Sequence, residues 1–339
     1  MEADFAIHWL SWRFFSRATF VISGGMDEFQ RIETFFGPLV KTSRALNLRD
    51  DVAVLSSGES RRSLVVTTDA LVEGVHFLPT DPIETVARKL VRVNVSDILS
   101  KGARPLDALL TLGWPSNRGD DELECFAKAL GEELASWGIN LIGGDTVRAP
   151  SQLFFSLTLT GDCHGEGPIQ RSGAIAGDDI WVTGDIGWGY LGLQAAMSDH
   201  VGSIDAIQRY REPALPFNGI SDLIADFATS SMDVSDGLLG DLQKICLASG
   251  VGATLHAEQV PLAIPVESWD QAVPQLTGGD DYQILFTATP DLASTIRQRS
   301  EQLRVQITKI GTINLNGGIT AFWLGNPVEL PKRLGFAHE

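Results

Sequence analysis

The chain has 339 residues, with 26 Lys+Arg against 43 Asp+Glu and a formal net charge of −17. At 44% hydrophobic and 20% charged residues it is globular in composition, and domains of ~100–200 residues make two of them the expectation. So acidic a chain lacks the clustered Lys and Arg that neutralise nucleic-acid phosphate or anionic lipid, which excludes nucleic acid and membrane as partners.

Residues 1–25 are apolar and aromatic but broken by His8, Arg13 and Arg17, so they cannot supply the ~20 apolar residues of a membrane span. Glu2 and Asp4 also deny them the basic start of a signal peptide. They read as a non-native extension, with translation starting at Met26. From there helices and strands alternate. Phe29–Phe36 reads as a short amphipathic helix stopped by Gly37-Pro38, and Ser63–Thr68 as a strand. Ile83–Lys101 is a long helix with Val86, Leu90 and Val93 on one face. Leu106–Leu112 is a strand, a helix starts at Asp120-Asp121, and Leu153–Thr160 is a third strand. The Gly-rich stretch Gly161–Gly167 marks a boundary, giving domains 26–165 and 166–339. In the second half, strands are expected at Ile180–Thr183, Tyr282–Thr287 and Val305–Ile310. Helices are expected at Tyr190–Met197, Ile220–Ala228, Gly237–Ala248 and Leu292–Leu303. The class is mixed α/β or α+β in two comparable halves.

The three cysteines, Cys125, Cys163 and Cys246, form no CxxC pair, which fits a reducing cytoplasm. No G-x-x-x-x-G-K-[ST], G-x-S-x-G or HExxH occurs. Gly187-Trp188-Gly189-Tyr190-Leu191-Gly192 does fit G-x-G-x-x-G after a strand, which keeps an NAD-dependent oxidoreductase as a rival reading. Against it, the turn is long and no acidic residue ends a second strand.

The informative pattern is aspartate beside small residues, many times over. Asp50-Asp51 precede VAVL, Thr67-Thr68-Asp69 end a strand, and Asn94-Val95-Ser96-Asp97 lies on the long helix. Gly143-Gly144-Asp145-Thr146, Asp233-Val234-Ser235-Asp236-Gly237 and Gly278-Gly279-Asp280-Asp281 follow. Any one of these aspartates serves equally well as a cap or turn residue. Six together suit a hard cation such as Mg²⁺, which takes oxygen ligands and shares them with substrate phosphates.

In this order the blocks DDVAVL, TTDALVEGVHFLP, VNVSDILSKGARP, LIGGDT, RSGAIAGD, VTGDIG, MDVSDGLLGDL, GGDDY and GFAHE resemble the thiamine-monophosphate kinases of the aminoimidazole-ribonucleotide-synthetase-like superfamily. The resemblance runs from Met26 to Glu339. It implies a two-domain fold of that superfamily, with the N-terminal sheet pairing in a homodimer. It also implies transfer of the ATP γ-phosphoryl to thiamine monophosphate, giving thiamine diphosphate. By the same resemblance Asp51, Thr67, Thr68, Asp69, Asp97, Asp145 and Asp233 are Mg²⁺ ligands, and Asp236 holds a further ion. Gly144, Asp145, Arg171 and Ser235 would contact ATP; His76, Asp280 and Phe336 would contact the thiamine phosphate. Selenophosphate synthetase, a relative in that superfamily, is the second reading, but no cysteine lies in the N-terminal glycine region or near the C-terminus. Two positions depart from the family pattern: Arg49 stands where a glycine is usual, so the loop is expected to run differently, and Asp280 stands where glutamate is common.

Overall fold

The computed structural model describes residues 30, 32–55, 63–165, 167–198, 204–216 and 219–336. The reading of residues 1–25 and the GFAHE end beyond Phe336 lie outside them. Where a regular helix was expected over Phe29–Phe36, the described part is one π-type turn, Ile32–Phe36, then a 3₁₀ turn, Gly37–Leu39.

Within Val40–Phe336 the chain builds two sheets. The first has β1 (Ala53–Leu55), β2 (Leu64–Val72), β3 (Ala103–Pro115), β4 (Asn140–Ala149) and β5 (Phe154–Cys163), in the order β1-β2-β5-β3-β4. Only β3 and β4 run parallel; the other neighbours are antiparallel. Along β5, Phe155, Leu157 and Leu159 are buried while Ser156, Thr158 and Thr160 alternate with them on the opposite face, as the two-residue pleat requires. Helices α1 (Ile83–Ser100) and α2 (Asp120–Ser136) cover the buried face, where Phe126 stacks on Phe155 with ring centroids 4.4 Å apart. Three acidic residues, Asp120, Asp121 and Glu122, open α2, where negative charge complements the helix dipole.

The second sheet has β6 (Asp179–Thr183), β7 (Ser230–Asp233), β8 (Gly252–His256), β9 (Ile284–Ala288), β10 (Ile307–Asn314), β11 (Gly318–Trp323) and β12 (Asn326–Val328), in the order β12-β11-β8-β10-β6-β9-β7. Between them run α3 (Trp188–Met197), α4 (Ile204–Arg211), α5 (Ile220–Phe227), α6 (Leu238–Ser249), α7 (Trp269–Thr277) and α8 (Ala293–Leu303). Leu238, Leu242 and Ile245 of α6 and Leu276 of α7 pack with Val182, Leu255 and Leu285 of the sheet. Residues of α5 and α8 (Leu223, Ile224, Ile296), with Ile284 and Phe286 of β9, instead join the core of the first half through α1.

Helix α1 is therefore not the one-faced amphipathic helix its Val86-Leu90-Val93 spacing predicts. Lying between elements of both sheets, it buries Lys89, Asn94, Ser96, Asp97 and Ser100 along with its apolar residues. Polar groups buried this way need partners, and those partners build the site.

Candidate active site

The pleat of β2 sends Thr67 and Asp69 inward with Val65 and Leu71. The Thr67 hydroxyl, with one proton to give, lies 2.6 Å from Asp97 and 2.9 Å from the Asp51 carbonyl. Asn94, three residues before Asp97 on the same face of α1, accepts from the Asp69 amide at 3.1 Å. Ser96 donates to Asp233, at the end of β7, at 2.8 Å. Carboxylate oxygens of Asp51, Asp97 and Asp233 consequently lie within 4.8 Å of one another.

The electrostatics divide this cluster. Asp51 is held well below the usual carboxylate range: burial raises it, but the Arg171 guanidinium and Lys101 ammonium outweigh that. Asp69 is pushed up to about 6 by burial and by the charges of Asp51 and Asp236. Asp233 rises to about 8 for similar reasons, with Asp51 its strongest carboxylate neighbour, and Asp97 is raised strongly by burial beside Asp69, Asp233 and Asp51. A set of buried carboxylate and hydroxyl oxygens short of positive charge fits a hard divalent cation.

At the rim, Asp236 pairs with Lys244 at 2.5 Å, while Asp241 in the first turn of α6 accepts from the Asp236 and Gly237 amides at 3.1 and 3.2 Å. Gly237 has φ +117°, and a Cβ there would lie 2.7 Å from the Thr277 carbonyl carbon, so only glycine lets this turn meet the 277–279 segment. The Asp280 amide donates to the Ser235 carbonyl at 2.9 Å, and the Phe336 amide to the Asp236 carbonyl at 2.8 Å. The Phe336 ring is half exposed beside the Arg333 guanidinium. A buried lysine ties the remaining pair together: Lys89 donates to Asp280 at 2.8 Å and to the His76 carbonyl at 3.1 Å, and lies 4.3 Å from the Tyr210 ring centroid. The Tyr282 hydroxyl donates to the other Asp280 oxygen at 2.9 Å.

Of the residues expected at the site, the structure brings together Asp51, Thr67, Asp69, Asp97, Asp233, Asp236, Arg171, Ser235, His76, Asp280 and Phe336. Within one chain, three of the expected residues, Thr68, Asp145 and Gly144, lie apart from this cluster. Thr68 faces the other side of the sheet, where its hydroxyl meets Thr158 and the Leu157 carbonyl. Asp145 stands on the edge strand β4, in register with Thr111, Ser156 and Ala70. That row points away from the carboxylates and ends three strands, roughly 14 Å, from β2. Gly144 lies there too, with its backbone pressed so close to β3 that a Cβ would overlap the Leu110 carbonyl. At the Arg49 departure, Leu46, Asn47 and Leu48 take the left-handed backbone, while Arg49 has φ −119°.

Sequence reasoning missed Lys89, Lys101, Asp241, Lys244 and Tyr282. The spacing Asn94, Asp97, Lys101 places all three on one helical face and could have found Lys101. Lys89 carried no such signal, because a lysine beside an apolar stripe reads as solvent-facing.

Two family models match in tandem: AIR synthase related protein, N-terminal domain, over residues 49–163, and AIR synthase related protein, C-terminal domain, over residues 176–323. The sequence is also 38% identical over 321 residues to the thiamine-monophosphate kinase of Caulobacter vibrioides, covering 92% of this chain and 90% of that one. The chain belongs to the thiamine-monophosphate kinase family. Among solved structures, one named "AaThiL complexed with AMPPCP and TMP" matches with a TM-score of 0.77 and 26% identity over 92% of this chain and 97% of that one. The thiamine-monophosphate kinase from Stenotrophomonas maltophilia matches with a TM-score of 0.71 and 32% identity over 84% and 95%.

Membership in the thiamine-monophosphate kinase family disposes of the oxidoreductase rival, and the geometry agrees. The amides of Gly187 and Gly189, which a dinucleotide fingerprint would offer to pyrophosphate, donate to the buried Asp281 carboxylate at 2.8 and 3.0 Å. Gly189 and Gly192 instead serve close packing, since a Cβ at either would sit 2.3 Å or less from a backbone oxygen.

Proposed function

We propose that this chain transfers the γ-phosphoryl of ATP to thiamine monophosphate, giving thiamine diphosphate and ADP. The observation that carries this reading is the buried triad Asp51, Asp97 and Asp233, in a chain whose relatives are thiamine-monophosphate kinases. Asp69, Asp97 and Asp233, with Asp51, Thr67 and Asp236 around them, would hold Mg²⁺. When bound, the ions cancel the repulsion between two phosphate-bearing substrates and align them. His76, Asp280 and Phe336 form the acceptor side, with Lys89 fixing the Asp280 carboxylate. The acceptor phosphate is already anionic near neutral pH and needs no base, so transfer is direct and in line, without a phospho-enzyme.

Arg171 and Ser235 belong to the ATP side, as do Gly144 and Asp145, which one chain alone leaves apart from the carboxylates. The N-terminal sheets pair in a homodimer, a reading supported by the apolar residues Leu109, Leu141, Ile142 and Val147 exposed on β3 and β4. Across that pairing Asp145 joins a site that its own chain does not reach. Light scattering tests the dimer directly. The three cysteines are free, which supports a cytoplasmic setting, and among the described residues no helix is long and apolar enough to cross a membrane.

The deciding experiment measures ADP release with ATP and Mg²⁺ against thiamine monophosphate, thiamine and selenide as acceptors. Release that depends on thiamine monophosphate and yields thiamine diphosphate is the expected outcome; release with selenide alone would overturn the reading. With a chiral γ-phosphate, inversion at phosphorus is expected and retention would refute direct transfer.

A further inference from the structure

The turn 73–77, which follows β2, is closed on a single strand residue. The Val72 carbonyl accepts from the Val75 and His76 amides at 3.1 and 3.0 Å, and the Val72 amide donates to Nδ1 of the His76 ring at 3.1 Å. Gly74 supplies the left-handed backbone of the reversal, with φ +78°, and Phe77 anchors its far end in the core. A backbone N–H can only donate, so His76 Nδ1 accepts and carries no proton. In the neutral ring the proton therefore sits on Nε2, because the bond made by one ring nitrogen fixes the state of the other. Held this way, the imidazole is a hydrogen-bond donor and not a base.

Beside this donor stands an acceptor. The buried Lys89 ammonium bridges the His76 carbonyl at 3.1 Å and the Asp280 carboxylate at 2.8 Å, so one cation holds both residues. Asp280 also accepts from the Tyr282 hydroxyl at 2.9 Å. A carboxylate has about four lone-pair sites, so these two bonds leave capacity for a ligand, and the Asp280 side chain keeps 30% of its exposure. Position along β2 decides which part of a substrate the pair meets. At ~3.4 Å per residue, Val72 lies ~10 Å along the strand from Asp69. A substrate whose phosphate sits at the carboxylate cluster therefore reaches the pair with its other end.

We propose that His76 and Asp280 form a donor–acceptor pair that reads the heterocyclic end of the acceptor substrate. The His76 Nε2–H meets a ring nitrogen, and the Asp280 carboxylate takes an N–H of the amine next to it. The inference rests on reading thiamine monophosphate as the acceptor, since its aminopyrimidine carries that amine and ring nitrogen side by side. A pyrimidinone, with a carbonyl oxygen in place of the amine and an N–H at the ring position, presents the reverse pattern. It sets N–H against N–H and oxygen against oxygen, and a site whose polar groups are left unpaired discriminates strongly. The Val72 amide decides the sense of the pair, because it alone dictates which ring nitrogen of His76 holds the proton.

Two measurements test it. In the ¹⁵N-labelled full chain, with the His76 ring assigned by its loss in H76Q, nuclear magnetic resonance near pH 8 should show Nε2 protonated and Nδ1 bare. A proton on Nδ1 would overturn the proposal. Binding is then read by equilibrium dialysis, with Mg²⁺ and a non-hydrolysable ATP analogue present, for thiamine monophosphate and its pyrimidinone analogue. The unaltered chain should favour thiamine monophosphate by about 10²-fold or more. H76Q, which keeps an N–H donor near the Nε2 position, should retain most of that ratio, and H76L should cut it at least about tenfold. A merely structural role would weaken both ligands alike, so an unchanged ratio in H76L would overturn the proposal. Should H76L fail to fold, the ring proton and the ratio in the unaltered chain still decide. Binding of neither ligand would overturn the proposed activity as well, whereas equal binding of both would overturn this inference alone.

Discussion

The Asp50–Asp51 side of the site and the Asp69–Asp97–Asp233 side are built from the same residue type at similar burial, yet they behave oppositely. On the first, two tethered cations hold Asp51 ionised far below its ordinary range. On the second, no lysine or arginine is within pairing distance among the described residues, and burial beside like charges drives proton affinity up. The lesson is that a buried acidic cluster is not one object. Its compensated part keeps its charge without help, and its uncompensated part creates the demand for an external cation.

Removing a carboxylate from each side should break that symmetry in opposite directions. Asp97→Asn and Asp69→Asn should lower turnover by at least about 10²-fold, the scale of losing one preorganised charge at a reacting centre. The metal-free variants should melt no lower than the unaltered protein, because a repulsion is relieved. A metal-free Asp97→Asn that unfolds several degrees earlier would contradict the division. Asp51→Asn should instead cost about 3–5 kcal/mol of unfolding free energy, since it strands Lys101 and Arg171 in the interior; denaturant titration reads this directly.

The pH dependence follows from the uncompensated side. Asp69 near 6 and Asp233 near 8 keep protons in the folded chain that an unfolded carboxyl releases near 3.8. The native state therefore binds more protons across that window, and metal-free stability should fall as pH rises from about 4 to 8. Thermal melts at pH 5.5 and 8 should show the lower midpoint at pH 8, with Mg²⁺ narrowing the gap. A metal-free protein more stable at pH 8 would reverse the sign. The smallest effect is expected across the pleat of β2: Thr68→Val should leave turnover within about twofold, while Thr67→Val removes the hydroxyl bonded to Asp97 and should lower it further.

Much of this was legible beforehand where it depended on short-range pattern. The two long helices, β2, β3 and β5, and the aspartate blocks follow from periodicity and from small residues beside acids. What depended on strand order was not. Asp145 is separated from Asp69 because β5, last of the first sheet in sequence, inserts between β2 and β3 and pushes β4 to the edge. Strand β7, Ser230–Asp233, is polar and four residues long yet fully buried, so no alternation announced it. Thr67 and Thr68 are a case where the pleat alone tells two neighbours apart: adjacent residues of a strand send their side chains to opposite faces of the sheet.

Helix α1 carries a last consequence. It supplies Lys89, Asn94, Ser96 and Asp97 while packing against both sheets, so neither half can complete the site, or its own core, without the other. The two halves should melt as one cooperative transition rather than in sequence. A chain cut between them would be expected to leave two fragments that each expose one flank of α1 or the surface meant to receive it. In this fold, catalytic competence and global folding are the same event.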